Sequence, residues 1–143
     1  MIRLVLDTNA VVAAVRSDRG ASRILLTAAM EQRIRLLLSV PLMMEYEAVL
    51  MRAEHRTVSG LSVNDVGVLL DAIAAVAEPI RLAYLWRPTL PDAEDDMVLE
   101  TAVNGAADGL VTLNRRHFGP VTARFGIATL SPAQGVTLME KRV

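Results

Sequence analysis

Four stretches of this 143-residue chain set acidic or amide side chains beside runs of apolar residues. Asp7, with Thr8 and Asn9 after it, closes "IRLVL". Glu45 sits within "PLMMEYEAVL". Asp92, Asp95 and Asp96 open a helical stretch at spacings i, i+3 and i+4. Asn114 follows "GLVTL" and leads into Arg115, Arg116 and His117. A carboxylate buried against aliphatic surface is costly unless something pairs with it. Carboxylates gathered at one place repel one another unless a cation lies among them. The chain has no cysteine and two histidines, so the donors on offer are mainly oxygens, which suit Mg²⁺ or Mn²⁺ better than zinc. Such sites usually act on phosphates, where the ion polarises a phosphoryl oxygen and positions water for in-line displacement.

Each of these residues also has an ordinary structural reading. Acids in a first helical turn complement the helix dipole, and Asp92 after Pro91 makes a fair cap. Glu45 and Glu47 lie at opposite margins of the stripe Leu42, Tyr46, Val49 and Ala53, and periodicity does not choose between them. Leu99 and Ala102 should face a sheet, which turns Asp95 inward one turn earlier. Asn114 suits a turn, and His117 a surface. Arg115 and Arg116 fit either a phosphate clamp or a solvated basic turn. The joint pattern says more than its parts, because separate elements each bring a carboxylate or amide toward one sheet edge.

The elements that must position these groups alternate. Strands are expected at 2–6, 34–39, 79–85, 109–113 and 127–132. Helical spacing is expected over "NAVVAAV", 21–32, 41–55, 62–78 and 92–106, with a short helix at the tail. Pro41 suits a first helical turn with Ser39 as cap, and Ser62 with Asp65 forms a capping-box pattern. Strands separated by helices imply βαβ units and a mainly parallel sheet covered on both faces. Ligands of such sheets bind beyond the carboxyl ends of the strands, which is where Asp7 and Asn114 fall.

The length fits one domain spanning 1–143. A hydrophobic fraction of 52% and mean hydropathy of +0.36 mark a globular chain rather than a disordered one. Charges interrupt every apolar run, so no membrane span is expected, and a cytoplasmic location is the simplest reading. The net charge of −1 argues against a bulk electrostatic nucleic-acid binder, but leaves room for a local basic patch. Aromatics at 3% argue against base-stacking platforms. Seven methionines and the high apolar content suggest a dimer or partner face, or equally a methionine-rich core.

The blocks "LVLDTNAVVAA", "SVPLMMEYEAVL" and "WRPTLPDAEDDMVLETAVNGAADGLVTLNRRHF" resemble, in order and spacing, the PIN-domain ribonucleases. The resemblance is strongest to the VapC-like toxins of prokaryotic toxin–antitoxin pairs, and it spans roughly residues 1–118. It implies a three-layer α/β/α sandwich around a mainly parallel sheet and Mg²⁺- or Mn²⁺-dependent cleavage of RNA. It assigns Asp7, Glu45 and Asp95 as the metal-holding acids. Thr8 and Asn9 match the turn that orients the first carboxylate. Asn114 matches the polar residue after the fourth strand, and Asp92 and Asp96 flank the third acid. It also implies an antitoxin partner, laid in a groove near 41–55 and 62–78, and a homodimer. One position departs from the pattern: many relatives carry aspartate in "N-x-x-D-F", where this chain has His117. That leaves open a weakly bound second metal, a contact from His117 to the scissile phosphate, or a slow or inactive module that binds RNA or protein.

Two other phosphate-handling classes also place an aspartate after the first strand. Haloacid-dehalogenase-like phosphatases need a second acid where Asn9 stands, and a lysine that is absent before Lys141. Receiver-like modules need a late-strand lysine and a mid-sheet aspartate, and neither is found.

Overall fold

The short apolar segments form a single parallel sheet in the computed structural model, which describes residues 1–84, 90 and 93–142. Its strands are β1 (Arg3–Leu6), β2 (Arg35–Leu38), β3 (Glu78–Pro79), β4 (Gly109–Val111) and β5 (Ala128–Leu130). They lie in the order β3-β2-β1-β4-β5, with Leu4 opposite Leu36 and Val5 opposite Leu110. Leu4, Val5, Leu110 and Val111 are fully buried, as a strand covered on both faces requires.

Helices α1 (Thr8–Arg16) and α2 (Ala21–Met30) join β1 to β2. Helices α3 (Val40–Leu50), α4 (Ala53–Ser59) and α5 (Val63–Val76) join β2 to β3. Helix α6 (Ala93–Asn104) precedes β4, and α7 (Val121–Arg124) precedes β5. Helix α8 (Pro132–Lys141) follows β5. The chain steps outward from β1 to β3, then crosses back to β4 on the other side of β1. Right-handed connections therefore put α6 on the opposite face from α1 and α2. Helix α6 packs on β1, β2 and β4, whereas α8 packs on α2, β4 and β5. The result is the expected three-layer α/β/α sandwich. The reversal of strand order leaves a crevice beyond the carboxyl ends of β1 and β4.

Several boundaries differ from the sequence expectation. The helix expected over 41–55 breaks at Arg52, whose backbone is extended (φ −60°, ψ 135°), so α4 turns away and packs on α1. Ala53 thereby leaves the apolar stripe and is exposed. No glycine or proline marks this break; tertiary packing overrides the local pattern. The strand expected over 79–85 is regular only at Glu78–Pro79. Ile80 still donates its N–H to the Leu38 carbonyl, but at Ala83 and Tyr84 the Asn104 side chain takes both backbone N–H groups. Leu85 lies outside the described residues. The tail helix is longer than expected and sits close to the sheet: a Cβ on Gly135 would come within 2.9 Å of Leu25 and 3.2 Å of Val111. The caps at Ser39 and Ser62 form as expected, the second as a full capping box with Asp65.

Candidate functional site

Asp7 is the hinge between β1 and α1. Its carbonyl accepts from Ala10 and Val11 as the helix begins, and its N–H donates to the Val111 carbonyl of β4. Its carboxylate caps α1 through the Thr8 N–H at 2.8 Å, and accepts from the Thr112 hydroxyl at 2.7 Å. Thr112 is fully buried, and its oxygen in turn accepts from the Asn114 N–H at 3.1 Å. Asn9 spans the same junction: its carbonyl oxygen accepts from the Leu113 N–H, and its amide approaches Thr112. The first acid is thus tied to the strand across the switch point.

Helix α3 is anchored at two places. The fully buried Tyr46 donates its hydroxyl to the carbonyl of Leu6, the residue before Asp7. Burial, and then the nearby Asp7 charge, push the phenol well above its ordinary pKa, so it stays neutral. Ser39 and Thr101 share a hydroxyl hydrogen bond of 2.7 Å, which joins the start of α3 to α6. Glu45, the neighbour of Tyr46, consequently lines the crevice, whereas Glu47 is exposed. Asp95, in the first turns of α6, is only 8% exposed and lines the same crevice. The Nδ1 of His117 stands 3.2 Å from Asp95 Oδ2.

Asp7, Thr8, Asn9, Glu45, Asp95, Asn114 and His117 therefore share one cavity of about 630 Å³. Other expected residues lie elsewhere. Asp96 is buried but accepts from the Leu90 N–H at 2.9 Å. Arg115 and Arg116 are exposed and do not line the cavity; Arg115 donates to Gln134 instead. Asp92 lies outside the described residues. The sequence reading missed Thr112, whose type carries no special signal inside a strand-like run. It also missed Arg16, Arg52 and His55, which line the far part of the cavity. Only the break between α3 and α4 brings the last two there.

The donor set suits a hard divalent ion in type: carboxylates at 7 and 95 are almost buried, and Glu45 shares their cavity. The Thr8 hydroxyl beside Asp7 is buried with no hydrogen-bond partner among the described residues, a polar atom awaiting a ligand or water. Among the described residues, no three His, Asp or Glu side chains close into a ready-made coordination cage. The fit is one of donor chemistry and shared cavity.

Acidic side chains thus line a crevice at the switch point of the sheet, beyond β1 and β4, where ligands of doubly wound sheets bind. The chain matches the PIN domain over residues 3–116 and belongs to that family. PIN domains are generally nucleases, generally bind RNA and typically use divalent metals. No curated protein matches the chain. Among the described residues, no single helix is long and apolar enough to cross a membrane.

Proposed function

We propose that this protein is a Mg²⁺- or Mn²⁺-dependent endoribonuclease, the VapC-like toxin of a toxin–antitoxin pair. The observation that carries the reading is the convergence of Asp7, Glu45 and Asp95, from three separate elements, on one cavity at the switch point. These three carboxylates would hold the ion, directly or through water. When bound, the ion supplies Lewis-acid polarisation of a phosphoryl oxygen and a more acidic water. The chain's own residues supply position. Thr112 and the Thr8 N–H fix the Asp7 carboxylate, and Tyr46 fixes the helix that carries Glu45. Asn114, which lines the same cavity, would hold a water or a ligand carboxylate in place. The partner in this reading is an antitoxin, and the cavities beside α5, of about 480 Å³ and 190 Å³, are its candidate seats.

The test is cleavage of structured RNA by the purified protein in Mg²⁺ or Mn²⁺, stopped by EDTA and absent from Asp7→Asn. A fully active Asp7→Asn protein overturns the mechanism. A second reading, a module that binds RNA without cutting it, is favoured by one contact: the Nδ1 of His117 stands 3.2 Å from Asp95 Oδ2, at a position where the resemblance implies an acid. RNA retention without products, at every metal concentration, would support that module.

A further inference from the structure

We propose that Arg16, Arg52 and His55 form a second anion site within the cavity, which takes a phosphate of the RNA strand flanking the bond that is cut. This rests on the ribonuclease reading and names how its substrate is held.

Arg16 is the last residue of α1, and Asp7 caps the first turn of the same helix. Nine residues at helical rise separate their backbones by about 13 Å. A single phosphate at the acids therefore does not serve both ends, but a strand of a few nucleotides does. Arg52 is the N-cap of α4 and His55 lies in its first turn, so both sit at the same end of that helix. All three side chains line the cavity that holds the acids. Arg3, Arg23, Arg33, Arg56 and Arg142 each have a hydrogen-bond or ion-pair partner. Among the described residues, Arg16 and Arg52 have neither; Arg19, Arg81, Arg116 and Arg124 also have neither, but do not line the cavity. The Nδ1 of His55 is buried and also lacks a partner.

An exposed arginine alone is ordinary surface. Two arginines without hydrogen-bond or ion-pair partners among the described residues, lining with His55 one concavity walled by Val12 and Val49, are different. Apolar walls focus their field, and the guanidinium fork matches a phosphate. A net charge of −1 gives no global attraction for RNA, so attraction has to come from a local patch of this kind.

The test uses the full chain carrying Asp7→Asn, so that RNA is not consumed. Fluorescence anisotropy follows binding of a short, labelled, mixed-sequence single-stranded RNA across a salt series. Arg16→Gln and Arg52→Gln should each weaken binding roughly tenfold. Each should also lower the slope of log affinity against log salt by about 0.7. Arg52→Lys should recover the slope but not the full affinity. Melting temperatures should move little, since among the described residues neither side chain has a hydrogen bond or ion pair to lose. Unchanged affinity and slope in the double variant overturn the site, as does a parent protein that binds no RNA at low salt. A double variant that keeps RNA but loses binding to a polyglutamate peptide assigns the wall to an acidic protein, and also overturns it. Arginine-dependent RNA binding without any cleavage by the natural sequence sinks the nuclease reading and leaves the contact. Cleavage by the natural sequence, with an unchanged salt slope in the variants, sinks the contact alone.

Discussion

On one wall of the cavity, Asp7 and Asp95 are nearly buried, and the elements around them are tied by hydroxyl hydrogen bonds from Thr112, Tyr46 and Ser39. On the other wall, Arg16 and Arg52 stand exposed, with no hydrogen-bond or ion-pair partner among the described residues. Under the proposed function, the contrast follows from what each wall would have to do. Groups that hold charge at a reacting centre gain from fixed geometry, because their reorganisation is then complete before reaction. Groups that catch a flexible polyanion lose little by staying mobile, since they supply position and charge but not sequence reading. The acid wall is built where β1 ends and where α3 and α6 pack beside it, and the basic wall at the end of α1 and the start of α4.

The difference can be broken or sharpened by substitution, with the largest effect at the acids. Asp7→Asn should lower RNA cleavage at least about a thousandfold, because several kcal/mol of charge stabilisation go with the ion. Its melting temperature should hold or rise, since one of the three carboxylates that share the cavity is gone. Loss of activity with a collapsed melting curve would make Asp7 structural and erase the contrast between the walls.

Thr112→Val keeps the shape and removes the hydroxyl that holds Asp7. Cleavage should fall about 10- to 100-fold, as for other groups that orient a metal ligand, and Thr112→Ser should restore most of it. Full activity in the valine variant would mean that the acid wall needs no such tie.

Tyr46→Phe should cost about 1–3 kcal/mol of stability, because the Leu6 carbonyl loses its phenolic partner in a buried site. Thermal unfolding reads this as a drop of several degrees. Activity should fall with it, since Glu45 rides on the same helix. An unchanged melting temperature would show that packing alone seats α3.

The smallest effect is at the opposite end of the sheet, and serves as a control remote from both walls. Arg3 clamps Glu78 with two hydrogen bonds, of 2.9 Å and 2.6 Å. The hydrogen bond from Arg3, and then its charge, hold the Glu78 carboxyl below its ordinary value of 4.5. A depressed folded-state value means stability that is present above the unfolded value and lost as pH falls through the folded one. Glu78→Gln should thus lower stability by about 0.5 kcal/mol at neutral pH, a modest figure because the pair is partly solvated. The difference should vanish in acid below the folded value. A gap between the two proteins that widens in acid would reverse the sign and reject the clamp as its source.

Much of this was legible from the chain alone. Asp7 at the end of an apolar strand, Asp95 one turn before Leu99, and Asn114 after the fourth apolar segment all announce the switch-point crevice. Their placement depends on local periodicity and on the rule for parallel sheets. Between Glu45 and Glu47 periodicity was neutral, and the Tyr46 anchor decided it. The strand expected over 79–85 shrank to an edge of two residues, because the Asn104 side chain satisfies the backbone that a neighbouring strand would otherwise take.

The sequence by itself determined the alternation of elements, the parallel sheet and the acids at its carboxyl edge, since burial and periodicity act within a few residues. Only the tertiary structure decided which polar groups face those acids. Thr112 reaches Asp7 across 105 positions of chain, and the bend at Arg52 swings that residue and His55 into the cavity. Neither event leaves a local mark, because each is the outcome of distant surfaces packing together, and the energy that selects it is shared across the whole core.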